Sequence, residues 1–178
     1  MGQLTLVLGG VRSGKSRHAE ALAARSPPVT YLATAQAGDD EMARRIAVHR
    51  QRRQRDNASW RTVEEPWEIA VALAAHGSAG CTLIECATLW LSNLLGGLPG
   101  RPPCSDEEIL AEVDKLVVAV RDVAGRVIVV SNETGCGIMP ANALARRFGD
   151  LLGETNQRLA EAADEVFWCV AGIPVRVK

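Results

Sequence analysis

The run Gly9-Gly10-Val11-Arg12-Ser13-Gly14-Lys15-Ser16 fits G-x-x-x-x-G-K-[ST] without a gap. It constrains the fold more than any other feature, because such a motif works only where a buried strand turns sharply into a helix. The flanks meet that demand: the apolar LTLVL (residues 4–8) precedes it and the helix-compatible SRHAEALAAR (residues 16–25) follows. Gly9 and Gly14 allow a tight turn and close approach of a phosphate. Successive amide N–H groups and the helix N-terminus supply positive partial charge. Lys15 brings a point charge to the β and γ phosphates, and the Ser16 hydroxyl suits Mg²⁺. Arg12 can meet a phosphate oxygen or face solvent.

Four further apolar runs follow: VTYLATA (29–35), CTLIEC (81–86), VIVVS (127–131) and VFWCVAG (166–172). They are rich in Val, Ile, Leu and Thr and do not alternate, which is how strands read when both faces are buried. Helical signals lie between them. One stretch covers 39–55, opening at Asp39 or Asp40, and one covers 67–75, with Pro66 as a first helical residue. Another spans 105–124, where Ser105 and Glu108 form a capping box. The last runs over about 140–163, with Leu144, Phe148, Leu151, Leu152, Thr155 and Leu159 at helical spacing. The alternation predicts an α/β fold: a mainly parallel sheet with helices on both faces. GGLPGRPPC (96–104) predicts a surface connection.

A length of 178 residues predicts a single domain over 1–178. Lys plus Arg is 20 against 21 Asp plus Glu, and this balance argues against general nucleic-acid binding, which rewards a basic surplus. No apolar run is long enough to span a bilayer, and the first residues lack the basic region of a signal peptide. Five cysteines without a CxxC argue against a disulfide framework or zinc site and for the reducing cytoplasm. Cys81, Cys86 and Cys169 read as core residues, and Cys136 as a candidate reactive thiol.

Glu85 falls near the C-terminal end of CTLIEC, where ligands gather in open α/β sheets. It is a candidate to hold Mg²⁺ through water or to activate an attacking hydroxyl, with a strand-end ion pair as the alternative. DDEMARRIAVHRQRRQR (39–55) runs from acidic to basic, as a solvated helix would. Yet His49 stands among Arg45, Arg50, Arg52 and Arg53, which favour its neutral, nucleophilic form. The same arginines could hold a triphosphate. His18 reads as a helix-surface residue whose imidazolium form the helix N-terminus disfavours. Asn132 and Glu133 read as a turn cap or as a substrate contact. On these residues alone a transferase, a simple P-loop kinase of a small-molecule hydroxyl and a nucleotide-dependent switch all stand.

Six ordered segments narrow the choice: GGVRSGKSRHAE (9–20), YLATAQAGDDEMARRIAVHRQRR (31–53), WRTVEEP (60–66), LIECATLWLSNLL (83–95), VSNETGCGIMP (130–140) and ARRFGDLLGETNQRLAEAADEV (145–166). Through them the chain resembles, almost end to end, the bifunctional adenosylcobinamide kinase / adenosylcobinamide-phosphate guanylyltransferase family. The resemblance implies a RecA-like P-loop fold and two reactions. ATP or GTP phosphorylates the hydroxyl of the aminopropanol arm of adenosylcobinamide. GTP then donates GMP to that phosphate through a guanylyl-histidine, giving adenosylcobinamide-GDP in cobalamin biosynthesis. It implies that His49 carries the GMP and that Lys15 and Glu85 are catalytic, with Ser16 and Glu85 at Mg²⁺. It also implies nucleotide contacts at Gly9, Gly10, Val11, Arg12, Ser13, Gly14, Lys15, Ser16, Ala33, Thr34, Ala35, Arg50, Gln51, Arg52, Arg53, Glu64 and Glu85. Glu64 is a candidate for the guanine edge or the ribose. Relatives often carry Asp where this chain has Glu85, and a larger apolar residue where it has Cys136. The family further implies a homo-oligomer.

Overall fold

The structure, a computed structural model, describes residues 2–36, 43, 44, 46, 47, 51 and 59–178. Seven strands form one sheet in the order β3-β2-β4-β5-β1-β6-β7. They are β1 (Gln3–Gly9), β2 (Val29–Ala33), β3 (Arg61–Glu64), β4 (Cys81–Glu85), β5 (Arg126–Asn132), β6 (Glu165–Val170) and β7 (Ile173–Arg176). The first six run parallel, and β7 returns antiparallel on β6. Five helices are described: α1 (Lys15–Ala23), α2 (Ile69–His76), α3 (Ala87–Gly96), α4 (Asp106–Asp122) and α5 (Ala143–Ala162).

Period-2 geometry sorts each strand's side chains between two cores. Leu4, Leu6, Leu32, Ile84, Val127 and Val129 face one side, where α2, α3, α4 and α5 pack with Trp90, Leu94, Ile109, Leu116 and Leu152. Val7, Tyr31, Leu83, Ile128 and Val130 face the other, against Ala19, Leu22 and Ala23 of α1. Helices therefore cover both faces, as the non-alternating runs predict, though four of the five lie on one side. Both layers matter to stability, since truncating one such buried leucine to alanine costs about 2–5 kcal/mol.

Several expectations are corrected at the element ends. The strand expected over 29–35 stops at Ala33, because Thr34 turns inward, and the one over 166–172 stops at Val170, before a turn with Ala171 and Gly172 at φ 51° and 84°. Pro66 is not the first helical residue of α2. Glu68 is its N-cap, and Glu65 Oε1 accepts from Trp67 N and Glu68 N ahead of it. The capping box at Ser105 and Glu108 forms as read. The helix expected from about 140 opens instead at Asn142, whose Oδ1 accepts from Ala145 N at 3.1 Å. GGLPGRPPC is a connection, with a turn closed between Leu98 and Arg101. Edge strands β3 and β7 and helix α3 were not foreseen. Most of the helix expected over 39–55 lies outside the described residues; Ala43, Arg44, Ile46, Ala47 and Gln51 are helical.

Candidate active site

Parallel pairing brings the C-terminal ends of six strands to one edge, and the motif sits there. The phosphate loop leaves β1 at Gly9 and enters α1 at Lys15. Close packing fixes its shape. A β-carbon on Gly9 would stand 2.4 Å from Ser13 Oγ and 2.7 Å from Cys169 O. Gly14, at φ 92°, caps α1, and its own β-carbon would fall 2.9 Å from Gly172 Cα. Gly172 N donates to Ser13 O at 2.9 Å, so the turn between β6 and β7 buttresses the loop. Arg12 takes φ 57° and is exposed. Lys15 Nζ donates to Gly10 O at 3.2 Å. The first turn of α1 holds no acidic residue of its own.

Across the sheet edge, Ser16 Oγ donates to Glu85 Oε1 at 2.7 Å. One intervening strand, β5, lies between the loop strand β1 and the acid strand β4. Register sets Glu64, Ala33 and Glu85 abreast on β3, β2 and β4. The structure thus joins Lys15, Ser16 and Glu85 in one spot and leaves the exposed Glu64 two strands further along the same edge. Thr34 is fully buried; its hydroxyl donates to Cys86 O at 2.8 Å and accepts from Cys86 N at 2.7 Å. Thr34 therefore ties β2 to the end of β4, and its carbonyl accepts from Asn93 Nδ2 at 2.9 Å. Burial, with Glu85 adding to it, pushes the Cys86 thiol up to about 11. Ala35 is half-buried and Gln51 exposed, while His49, Arg50, Arg52 and Arg53 lie outside the described residues.

Two features escaped sequence reasoning. Thr88 Oγ1 accepts from Asn132 N at 2.7 Å, and Asn156 Nδ2 donates to Asn132 O at 3.0 Å, so two helices pin the end of β5 beside Gly9. The signal for Asn156 was present: polar Thr155 and Asn156 interrupt an apolar stripe of Leu151, Leu152 and Leu159. His18 is more than a surface residue. Its ring meets Phe167 edge-on at 4.9 Å, and burial first, then Arg25 and Arg126, lowers its pKa from 6.5.

The oxygen donors Ser16 and Glu85 suit a hard cation such as Mg²⁺, which takes one or two protein oxygens and completes its shell with phosphate and water. Among the described residues no group of three or more His, Cys, Asp or Glu could hold a metal. Open grooves of about 600 Å³ beside α2 and α4, and about 400 Å³ beside α4 and α5, lie in the helical layer and include no residue of the phosphate loop. Among the described residues no helix is long and apolar enough to cross a membrane.

A strand, a G-x-x-x-x-G-K-S turn capping a helix, and an acid on the next strand but one touching the motif serine define a P-loop nucleotide-binding protein of the α/β class. The chain belongs to the cobinamide kinase / cobinamide phosphate guanyltransferase family, whose model matches residues 5–177. It is 49% identical over 176 residues to the bifunctional adenosylcobalamin biosynthesis protein CobP of Pseudomonas aeruginosa, covering 97% of this chain and 96% of that protein. It is 44% identical over 184 residues to the bifunctional adenosylcobalamin biosynthesis protein CobU of Salmonella typhimurium, covering 98% and 99%. A crystal structure of the RadB recombinase aligns with a TM-score of 0.49 and 14% identity over 94% of this chain and 74% of that one. Nucleotide and cobinamide substrates fit the family.

Proposed function

We propose that this chain, acting as one catalytic domain over 1–178, phosphorylates the aminopropanol hydroxyl of adenosylcobinamide with ATP or GTP. It then transfers GMP from GTP to that phosphate, giving adenosylcobinamide-GDP and pyrophosphate. The observation that carries the reading is the hydrogen bond from Ser16 Oγ to Glu85 Oε1, 2.7 Å, at the head of α1 in a chain of this family. In the kinase step the loop amides and Lys15 hold the β and γ phosphates, and Glu85 orients the attacking hydroxyl. Ser16 and Glu85 would hold Mg²⁺, which when bound supplies charge neutralisation to the phosphates. The nucleotide contacts are those implied by the resemblance: the loop from Gly9 to Ser16, Ala33, Thr34, Ala35, Glu64, Glu85 and the segment Arg50, Gln51, Arg52 and Arg53.

In the guanylyl step a neutral His49 attacks the α phosphate of GTP, the P–O bond to pyrophosphate breaks, and the corrinoid phosphate then displaces the histidine. The basis for His49 is the resemblance of RIAVH and the surrounding arginines. In this reading the protein works in the cytoplasm, without nucleic acid, as a homo-oligomer. Exposed Trp168, Val170, Ile173 and Val175 on β6 and β7 support self-association, which light scattering tests.

The deciding experiment uses GTP labelled at the α phosphate, with Mg²⁺, followed by denaturation. Label on the chain that acid releases and base does not, and that His49→Ala abolishes, is expected. A wild-type chain that takes up no label refutes the guanylyltransferase half.

A further inference from the structure

The loop joining β5 to α5, residues 133–142, leaves the sheet at the phosphate loop itself: Glu133 N donates to Gly9 O at 3.2 Å. It is fastened at both ends. Glu133 Oε1 accepts from Gly135 N at 2.7 Å, and Arg146 Nη1 donates to Pro140 O at 2.9 Å and to Ala141 O at 2.7 Å. Between these fastenings the loop turns apolar side chains outward. Ile138 is 98% exposed and the adjoining Met139 is 69% exposed. Single exposed apolar residues are ordinary. Two in succession, on a braced loop at the ligand-binding edge of the sheet, call for an occupant. Ile138 is five residues beyond Glu133, so its backbone lies within about 18 Å of Glu133, which itself touches the phosphate loop.

We propose that Ile138 and Met139 form the ledge on which the macrocycle of the corrinoid acceptor rests while its hydroxyl arm reaches the phosphate loop. The inference rests on the functional reading above. A corrinoid is a broad ring whose faces are largely apolar and whose rim carries amides. Its accepting hydroxyl sits on an arm, so the ring must lie beyond the reacting phosphate, at the same edge. The adaptable thioether of Met139 suits an irregular ring face, and the polar rim can remain in water.

The test is steady-state phosphorylation of cobinamide by wild type and by an Ile138→Ser/Met139→Ser double variant. A rise in cobinamide KM of about tenfold or more is expected, with the KM for ATP and the Tm unmoved. Unchanged cobinamide KM overturns the proposal while leaving the functional reading intact; wild type that does not phosphorylate cobinamide removes both. Should the double variant also lose stability or ATP affinity, wild-type Cys136 decides. It is exposed and two residues from Ile138. Saturating cobinamide with ATP should slow its alkylation by iodoacetamide several-fold, read by peptide mass spectrometry, relative to ATP alone. Equal rates overturn the ledge.

Discussion

Replacing Gly14 by alanine tests how the phosphate loop is held. Gly14 has φ 92° and ψ 1°, and a β-carbon there would stand 2.9 Å from Gly172 Cα. Left-handed backbone costs a residue with a β-carbon about 1–2 kcal/mol. The clash is between two backbones, so no side chain can rotate out of the way. Relieving it pulls Gly172 N from Ser13 O, now 2.9 Å apart, and losing that bond costs about 1 kcal/mol. The sum is about 2–3 kcal/mol. For a chain of this size that lowers the Tm by about 4–12 °C. The assay is thermal unfolding followed by far-UV circular dichroism without nucleotide, with Gly10→Ala alongside. A β-carbon on Gly10 meets nothing within 4 Å, so that variant should stay within about 0.5 kcal/mol of wild type. If the two variants melt together, the contact with Gly172 does not hold the loop and the reasoning fails.

Lys15→Ala should lower phosphoryl transfer to cobinamide by about 100-fold or more at unchanged Tm; turnover within a few-fold of wild type removes the lysine from the step. His18, whose folded pKa lies below 6.5, resists protonation in the folded state. Its contribution is therefore intact above 6.5 and is lost as pH falls from there toward the folded value. Urea midpoints taken from about pH 7.5 to about pH 5.5 should drop less in His18→Gln than in wild type, and equal drops refute the assignment. Ser105→Ala removes the capping box of α4 and should cost about 1 kcal/mol in urea titration. Near neutral pH iodoacetamide should modify Cys136 well before Cys81 or Cys86, whose thiols burial pushes up to about 12 and about 11; early labelling of either buried thiol contradicts the packing.

The central strands were legible because each is a run of apolar residues buried on both faces, and the phosphate loop because its glycines and Lys15 have fixed spacing. The edges were not. β3 is RTVE and β7 is IPVR, four residues each and largely exposed; β3 has no apolar run, and Pro174 inside β7 argues against a strand there. Helix α3 hid for the opposite reason. Ala87, Thr88, Trp90, Leu91, Leu94 and Leu95 are all buried, and a helix apolar nearly all round has no polar face to mark its period. Glu85 was legible by position, but its hydrogen bond to Ser16 spans 69 residues of sequence, and no local pattern reports that. The pinning of Asn132 by Thr88 and Asn156 is likewise a product of tertiary packing.

The sheet order also governs when the site can exist during synthesis. β1 precedes every other strand in the chain, yet its neighbours are β5 and β6, with Gln3 opposite Arg126 and Thr5 opposite Glu165. At about 5–20 residues per second, roughly 6–25 seconds of elongation separate β1 from the completion of β5. Through that interval LTLVL waits as an unpaired apolar strand, and the phosphate loop has neither of its flanking strands. Nucleotide therefore cannot template the early chain: the binding site forms only after β5 and β6 have been made and have paired with β1.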